Sequence, residues 1–258
     1  MQRMLNRLNH STFYMQDESY VKSVVVNGVC TIEFYHPKGN SLPAKLLELL
    51  AQEIYSASNN DNARVLVIRS GGNKSFCAGA SFDELAGLRN EDEGQQFFNG
   101  FGQVINAMRK SPKLIIVRIH GKCVGGGVGI AAAADYAIAA GDADVKLSEL
   151  SIGIGPFVIG PAVERKIGLS AFSALAIDSS MWRNADWARR KGLYAELHPS
   201  VEDMDESIGR LADSLSHSSP EAMREIKKML WAGTEHWDEL LAARAAISGR
   251  LILHKKTV

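Results

Sequence analysis

Gly121-Lys122-Cys123-Val124-Gly125-Gly126-Gly127-Val128-Gly129 follows directly on the run Leu-Ile-Ile-Val-Arg-Ile at 114–119, which reads as a buried strand. A second stretch, Ser75-Phe76-Cys77-Ala78-Gly79-Ala80-Ser81-Phe82, comes shortly after another buried run at Val65–Ser70. Both stretches sit where a buried strand gives way to a helix. In open α/β folds, ligands bind beyond that end of the strands. Small residues let a ligand approach the backbone, and a helix N-terminus offers unpaired N–H groups. Two such groups converging on one point make an oxyanion hole. Taken alone, Gly-Gly-Gly is more often a flexible turn or a close helix–sheet contact. The placement of both stretches after consecutive buried strands favours function. Neither has the form of a dinucleotide fingerprint or a P-loop.

Working outward, residues 21–35 read as a β-hairpin whose turn is Asn27-Gly28, a pair suited to positive φ. Leu46, Leu47, Leu49, Leu50 and Ile54 recur at helical spacing over 43–57. Residues 93–109 predict a helix with a Phe97, Phe98, Phe101, Val104, Ile105 and Met108 face, and 135–139 and 144–147 predict further short strands. Buried strands alternating with helices imply an α/β fold with mostly parallel pairing. The last sixty or so residues differ: 201–216, 220–231 and 235–253 read as helices without intervening strands. Helices this apolar need a surface to cover, either their own core or a neighbouring subunit. Trp182, Trp187, Trp231 and Trp237 read as helix-packing residues.

The chain has 258 residues, enough for one large domain with a small appendage. Acidic and basic residues balance at 29 each, which gives no electrostatic footprint for nucleic acid or an anionic membrane. No apolar run reaches the ~18 residues of a membrane span, and residues 1–19 read as a leader outside the fold. Cys30, Cys77 and Cys123 are odd in number and widely spaced, which fits neither a disulfide framework nor a metal site. A cytoplasmic location is expected.

Four ordered segments carry a resemblance over about residues 20–255. They are Gly39-Asn40-Ser41-Leu42, Ser75 to Ala80, Gly121 to Asp135, and Ser148-Glu149-Leu150-Ser151-Ile152-Gly153. The chain resembles the crotonase (enoyl-CoA hydratase/isomerase) superfamily. The resemblance implies an α/β spiral of ββα turns over 20–197, and a helical trimerisation region over 198–258. It implies a homotrimer or dimer of trimers. It also implies an acyl-CoA substrate, with coenzyme A as part of the thioester, no permanently bound cofactor and no metal. The N–H groups of Ala80 and Gly126 would receive the thioester oxygen. Ala78, Gly79, Phe82, Gly125, Gly127 and Phe157 would contact substrate, and Lys38 would approach the CoA phosphates.

Hydratases of this superfamily carry one glutamate two residues after the glycine triplet and a second further on. The first position is Gly129 here; the second is Glu149. Water addition needs a base to hold water and an acid to supply a proton, work suited to two carboxylates. Moving a double bond needs only one proton carrier. The stretch Ile154-Gly155-Pro156-Phe157-Val158 is also similar to isomerases of the superfamily. The expectation is a shift of a 3-enoyl-CoA double bond to the 2-position by Glu149, whose carboxyl an apolar pocket would raise toward neutrality. The alternatives are a hydratase, including one for a branched substrate, and a non-catalytic acyl-CoA-binding homologue.

Overall fold

The computed structural model describes residues 19–254. It opens with β1 (Tyr20–Val26) and β2 (Val29–Tyr35), an antiparallel hairpin whose turn residues Asn27 and Gly28 both have positive φ (49° and 80°). Three more units follow. These are α1 (Ala44–Ser58); then β3 (Val65–Ser70), β4 (Ser75–Cys77), α2 (Phe82–Gly87) and α3 (Glu91–Lys110); then β5 (Ile115–Ile119), β6 (Lys122–Val124) and α4 (Gly126–Ala133). Next come β7 (Tyr136–Ala140), β8 (Val145–Lys146), a 3₁₀ turn at Glu149–Ile152 and α5 (Gly160–Ile177). The chain closes with α6 (Ala185–Arg190), β9 (Glu196–His198), α7 (Val201–Ser216), α8 (Pro220–Leu230) and α9 (Trp237–His254). The repeated ββα order is the one the resemblance implies. The leader expected over 1–19 lies, except for Ser19, outside the described residues.

The strands form two sheets. The larger runs β1-β2-β3-β5-β7-β9, and every pairing after the hairpin is parallel. Its inner residues, such as Ile32, Leu66, Ile68 and Val117, are fully buried with Leu47 and Leu50 of α1 in the main core. Its outer face carries Val65, Val67, Ile116 and Ile138, which α7 covers with Met204 and Ile208. This two-sided burial explains why the strands read as continuous apolar runs.

The smaller sheet is β4-β6-β8, all parallel. It corrects one expectation: the two glycine-rich stretches do not pass straight from buried strand to helix. A second strand of three residues intervenes in each. Such strands are too short for a period-2 pattern to show.

α3 is capped by Asn90, carries Glu91, Asp92 and Glu93 in its first turn and Arg109 and Lys110 in its last, and buries Phe97, Phe101, Ile105 and Met108. α9 lies along it. A Cβ on Gly94 would stand 2.7 Å from Gly249 Cα, and one on Gly249 would stand 2.4 Å from Gln95 N, so only glycines let these backbones meet. The last helix therefore covers the chain's own core. Trp231 and Trp237 pack edge to face at this end. Trp182 departs from the helix-packing expectation: it lies exposed between elements, with Lys122 and Lys146 Nζ 5.0 and 5.7 Å from its ring centroid. No helix among the described residues is long and apolar enough to cross a membrane.

Candidate active site

The three strands of the small sheet end side by side, and each runs into one of the segments singled out above. β4 leads into Ala78-Gly79-Ala80, β6 into Gly125-Gly126, and β8 into Ser148-Glu149. Parallel pairing thus brings residues far apart in sequence to one edge. They line a cavity of about 540 Å³, including its open mouth.

Ala80 is fixed by a parallel bridge to Leu42. Leu42 N donates to Gly79 O (2.8 Å) and Ser81 N donates to Leu42 O (3.3 Å). Amides alternate direction along an extended strand, so the N–H of Ala80 faces away from Leu42. Ser81 then caps α2, accepting from Glu84 N. Glu84 in turn accepts from Ala44 N at 2.7 Å, supplying α1 with the cap that Pro43 lacks.

Gly125 has φ 52° and ψ −116°, a conformation open to glycine, and donates its N–H to Lys146 O at 3.0 Å. Gly126 is the first residue of α4, where an N–H has no intrahelical acceptor. The Phe101 ring lies against it: a Cβ on Gly126 would stand 2.0 Å from Phe101 Cε1. α4 is buried all round, so the positive end of its dipole meets the cavity in a low-dielectric setting.

Glu149 opens the 3₁₀ turn. The residue keeps part of its surface, but Oε2 is buried and has no hydrogen-bond partner among the described residues. Burial pushes its carboxyl up to about 7, opposed by its own backbone N–H. Phe101, Ile152, Ile154 and Val158 supply much of the surrounding apolar wall. Ile152, Ile154 and Val158 follow Glu149 closely in sequence; Phe101 does not.

The position of the missing carboxylate is occupied. A Cβ on Gly129 would stand 2.5 Å from Ile159 Cγ2, and Ile105 Cδ1 is also near. Two hydrocarbon side chains press on the helix where hydratases of the superfamily place their first glutamate.

Of the residues singled out from sequence, Ala80, Gly126 and Glu149 all line the cavity, as do Ala78, Gly79, Phe82, Gly125 and Phe157. Two of them are not brought into its wall. Gly127 lies behind it, where a Cβ would stand 2.7 Å from Cys77 Cβ. Lys38 is exposed on the loop between β2 and α1 and pairs with Asp83. The Cys77 thiol is pushed up to about 12 by burial, which makes it inert as a nucleophile. The sequence reading missed Leu85, Phe98, Phe101, Ile159 and Ser248 as cavity residues. The α3 aromatics were legible as a helix face, but nothing local says that this face meets Gly126. No group of side chains with metal-ligand geometry occurs among the described residues.

Residues 25–256 match the family described as Enoyl-CoA hydratase/isomerase. The chain is 30% identical over 200 residues to the mitochondrial methylglutaconyl-CoA hydratase of Mus musculus, covering 76% of this chain and 63% of that protein. It is 28% identical over 198 residues to the mitochondrial Delta(3,5)-Delta(2,4)-dienoyl-CoA isomerase of Pongo abelii, covering 69% of this chain and 58% of that protein. Its fold superposes on the enoyl-CoA hydratase of Bacillus halodurans with a TM-score of 0.84, at 21% identity and over 93% of this chain and 100% of that one. With the ββα spiral and the converging strand ends, the chain belongs to the enoyl-CoA hydratase/isomerase family of the crotonase superfamily.

Proposed function

We propose that this protein moves the double bond of a 3-enoyl-CoA to the 2-position, with Glu149 as the only proton carrier. The observation that carries this reading is the filled space at Gly129. Ile159 and Ile105 stand where a second carboxylate and its water would be needed, and among the described residues Glu149 is the one ionisable side chain lining the cavity. Two-carboxylate hydration finds no second carboxylate among the described cavity residues. Single-proton isomerisation needs none.

In the proposed reaction, Glu149 takes a proton from C2 of the thioester. The electron pair moves onto the carbonyl oxygen, which receives the N–H groups of Ala80 and Gly126. The protonated carboxyl then returns the proton to C4, and the double bond settles between C2 and C3. No water enters and nothing leaves, so the atoms balance. A carboxyl raised to about 7 suits both halves of this shuttle, because its two protonation states are close in energy at neutral pH. Coenzyme A arrives and departs with the acyl group, and no other cofactor is invoked.

Hydration remains the competing reading, since one similar protein is named as a hydratase and another as an isomerase. A panel of 3-enoyl- and 2-enoyl-CoAs, followed by mass spectrometry and by absorbance of the conjugated enoyl thioester, separates the two. Isomerisation gains absorbance at constant mass; hydration loses it and adds the mass of water. Rapid hydration of crotonyl-CoA without isomerisation would overturn the proposal. Binding of CoA thioesters with no turnover would favour the non-catalytic reading. The homotrimer or dimer of trimers belongs to the same proposal, supported by the exposed apolar residues Ile226, Met229 and Leu230 of α8. Light scattering on the purified protein measures it.

A further inference from the structure

The cavity differs sharply from one end to the other. Phe82, on its wall, is 60% exposed, whereas Leu85, Phe98 and Ser248 are 4%, 6% and 1% exposed. One end opens to solvent and the other is closed. The closing wall includes Ser248 of α9, 99 positions beyond Glu149 in the sequence.

The packing of α9 on α3 fixes where that wall stands. The two helices run antiparallel, with Gly102 beside Leu241 and Gly94 beside Gly249. Phe101 lies on Gly126, so the Gly102–Leu241 level marks the oxyanion end. Ser248 stands seven residues further along α9, about 10 Å at the helical rise. The Gly94–Gly249 contact next to it leaves no slack, so the wall has nowhere to retreat. The Ser248 hydroxyl donates to Arg244 O within its own helix at 3.2 Å and is not spare for a ligand.

The wall is also uncharged. Among the described residues, no Lys, Arg, His or Asp side chain lines the cavity, and Glu149 is anionic when it acts as base. A carboxylate on the acyl tail would be buried beside hydrocarbon with no counter-ion, an arrangement that costs several kcal/mol.

We propose that the closed end is an acyl-tail compartment selecting uncharged aliphatic tails, with Ser248 of α9 as the residue that limits their length. This rests on the acyl-CoA reading of the cavity but not on which reaction follows, so binding tests it separately from chemistry. The probes are saturated acyl-CoAs, which cannot isomerise or hydrate: butanoyl-, pentanoyl-, octanoyl- and glutaryl-CoA, titrated calorimetrically into the full chain. In the unaltered protein, glutaryl-CoA is expected to bind at least about tenfold more weakly than pentanoyl-CoA, whose chain length it shares. In Ser248→Leu, the octanoyl-to-butanoyl affinity ratio is expected to fall about tenfold or more, the worth of a few displaced methylenes. Ser248→Val adds less bulk and gives a smaller shift in the same direction, which preserves the test if the leucine variant fails to fold. Equal binding of glutaryl- and pentanoyl-CoA, or a Ser248→Val ratio unchanged from the parent, would overturn the proposal. Absence of double-bond migration with 3-hexenoyl-CoA, with these affinities as expected, would instead sink the isomerase reading and leave the compartment standing.

Discussion

The two sheets of this protein divide its labour. The six-stranded sheet has strands of up to seven residues, apolar cores on both faces, and cover from α1 on one side and α7 on the other. The three-stranded sheet has strands of three, three and two residues. Little stability comes from so few ladder bonds. What the small sheet does is bring three chain segments to one edge, where two backbone amides and one carboxyl line the same cavity. On the proposed assignment, stability and chemistry reside in adjacent parts, and each part has its own way of failing.

The sharpest test is at the edge of the small sheet. Glu149→Gln keeps the shape of the side chain and removes the base. Turnover of a 3-enoyl-CoA is expected to fall about 10²- to 10⁴-fold while the circular dichroism spectrum is unchanged. Retained turnover in that variant would break the proposed assignment. The same variant should gain stability at neutral pH. The raised carboxyl makes its favourable contribution below about 4.5 and loses it as pH rises through about 7, by on the order of 1–3 kcal/mol. The melting temperature of Glu149→Gln should therefore rise relative to the parent as pH increases from 4.5 to 7, then hold level.

The complementary test is in the large sheet. Leu66→Ala removes a fully buried side chain of β3 and is expected to cost about 2–5 kcal/mol in denaturant unfolding. Below its melting range, kcat/KM should stay near the parent value. A comparable loss of kcat/KM would show that the two sheets are not separable.

Gly126→Ala probes the joint between them. Its Cβ would meet the Phe101 ring, so either the ring or the amide must shift. Turnover is expected to fall about 100- to 1000-fold if the amide moves off the oxyanion. A smaller effect follows from acidity alone. Since the base must be ionised, kcat/KM should climb about tenfold per pH unit below about 7 and level off above it. A profile flat from pH 5 to 8 would exclude a buried carboxyl as the base.

Legibility in the sequence follows the same division. β1, β2, β3, β5 and β7 were readable because each is an apolar run bounded by turn residues, and α7 matches its sequence reading at both ends. β8 falls inside the strand read at 144–147, whereas β4 and β6 were hidden inside stretches whose glycines and small residues dominated the reading. The local pattern of two or three residues carries no period, and their strand state depends on partners in other units. Among the site residues, the glycines and Glu149 announced themselves by type and order. Lys38 was legible as a charge on a loop, but its pairing with Asp83, 45 positions away, needs the intervening chain to fold first.

By itself, the sequence determined the family, the order of the ββα units, and the fact that Gly129 offers no carboxylate while Glu149 does. Those are matters of residue identity and spacing. Only the tertiary structure decided that Ile159 fills the space beside Gly129, that Glu149 is buried enough to rise to about 7, and that α9 returns across α3 to close the cavity with Ser248. Each of these depends on side chains from separate elements sharing a volume. Such contacts arise from packing the whole chain and leave no local mark on the segments that make them.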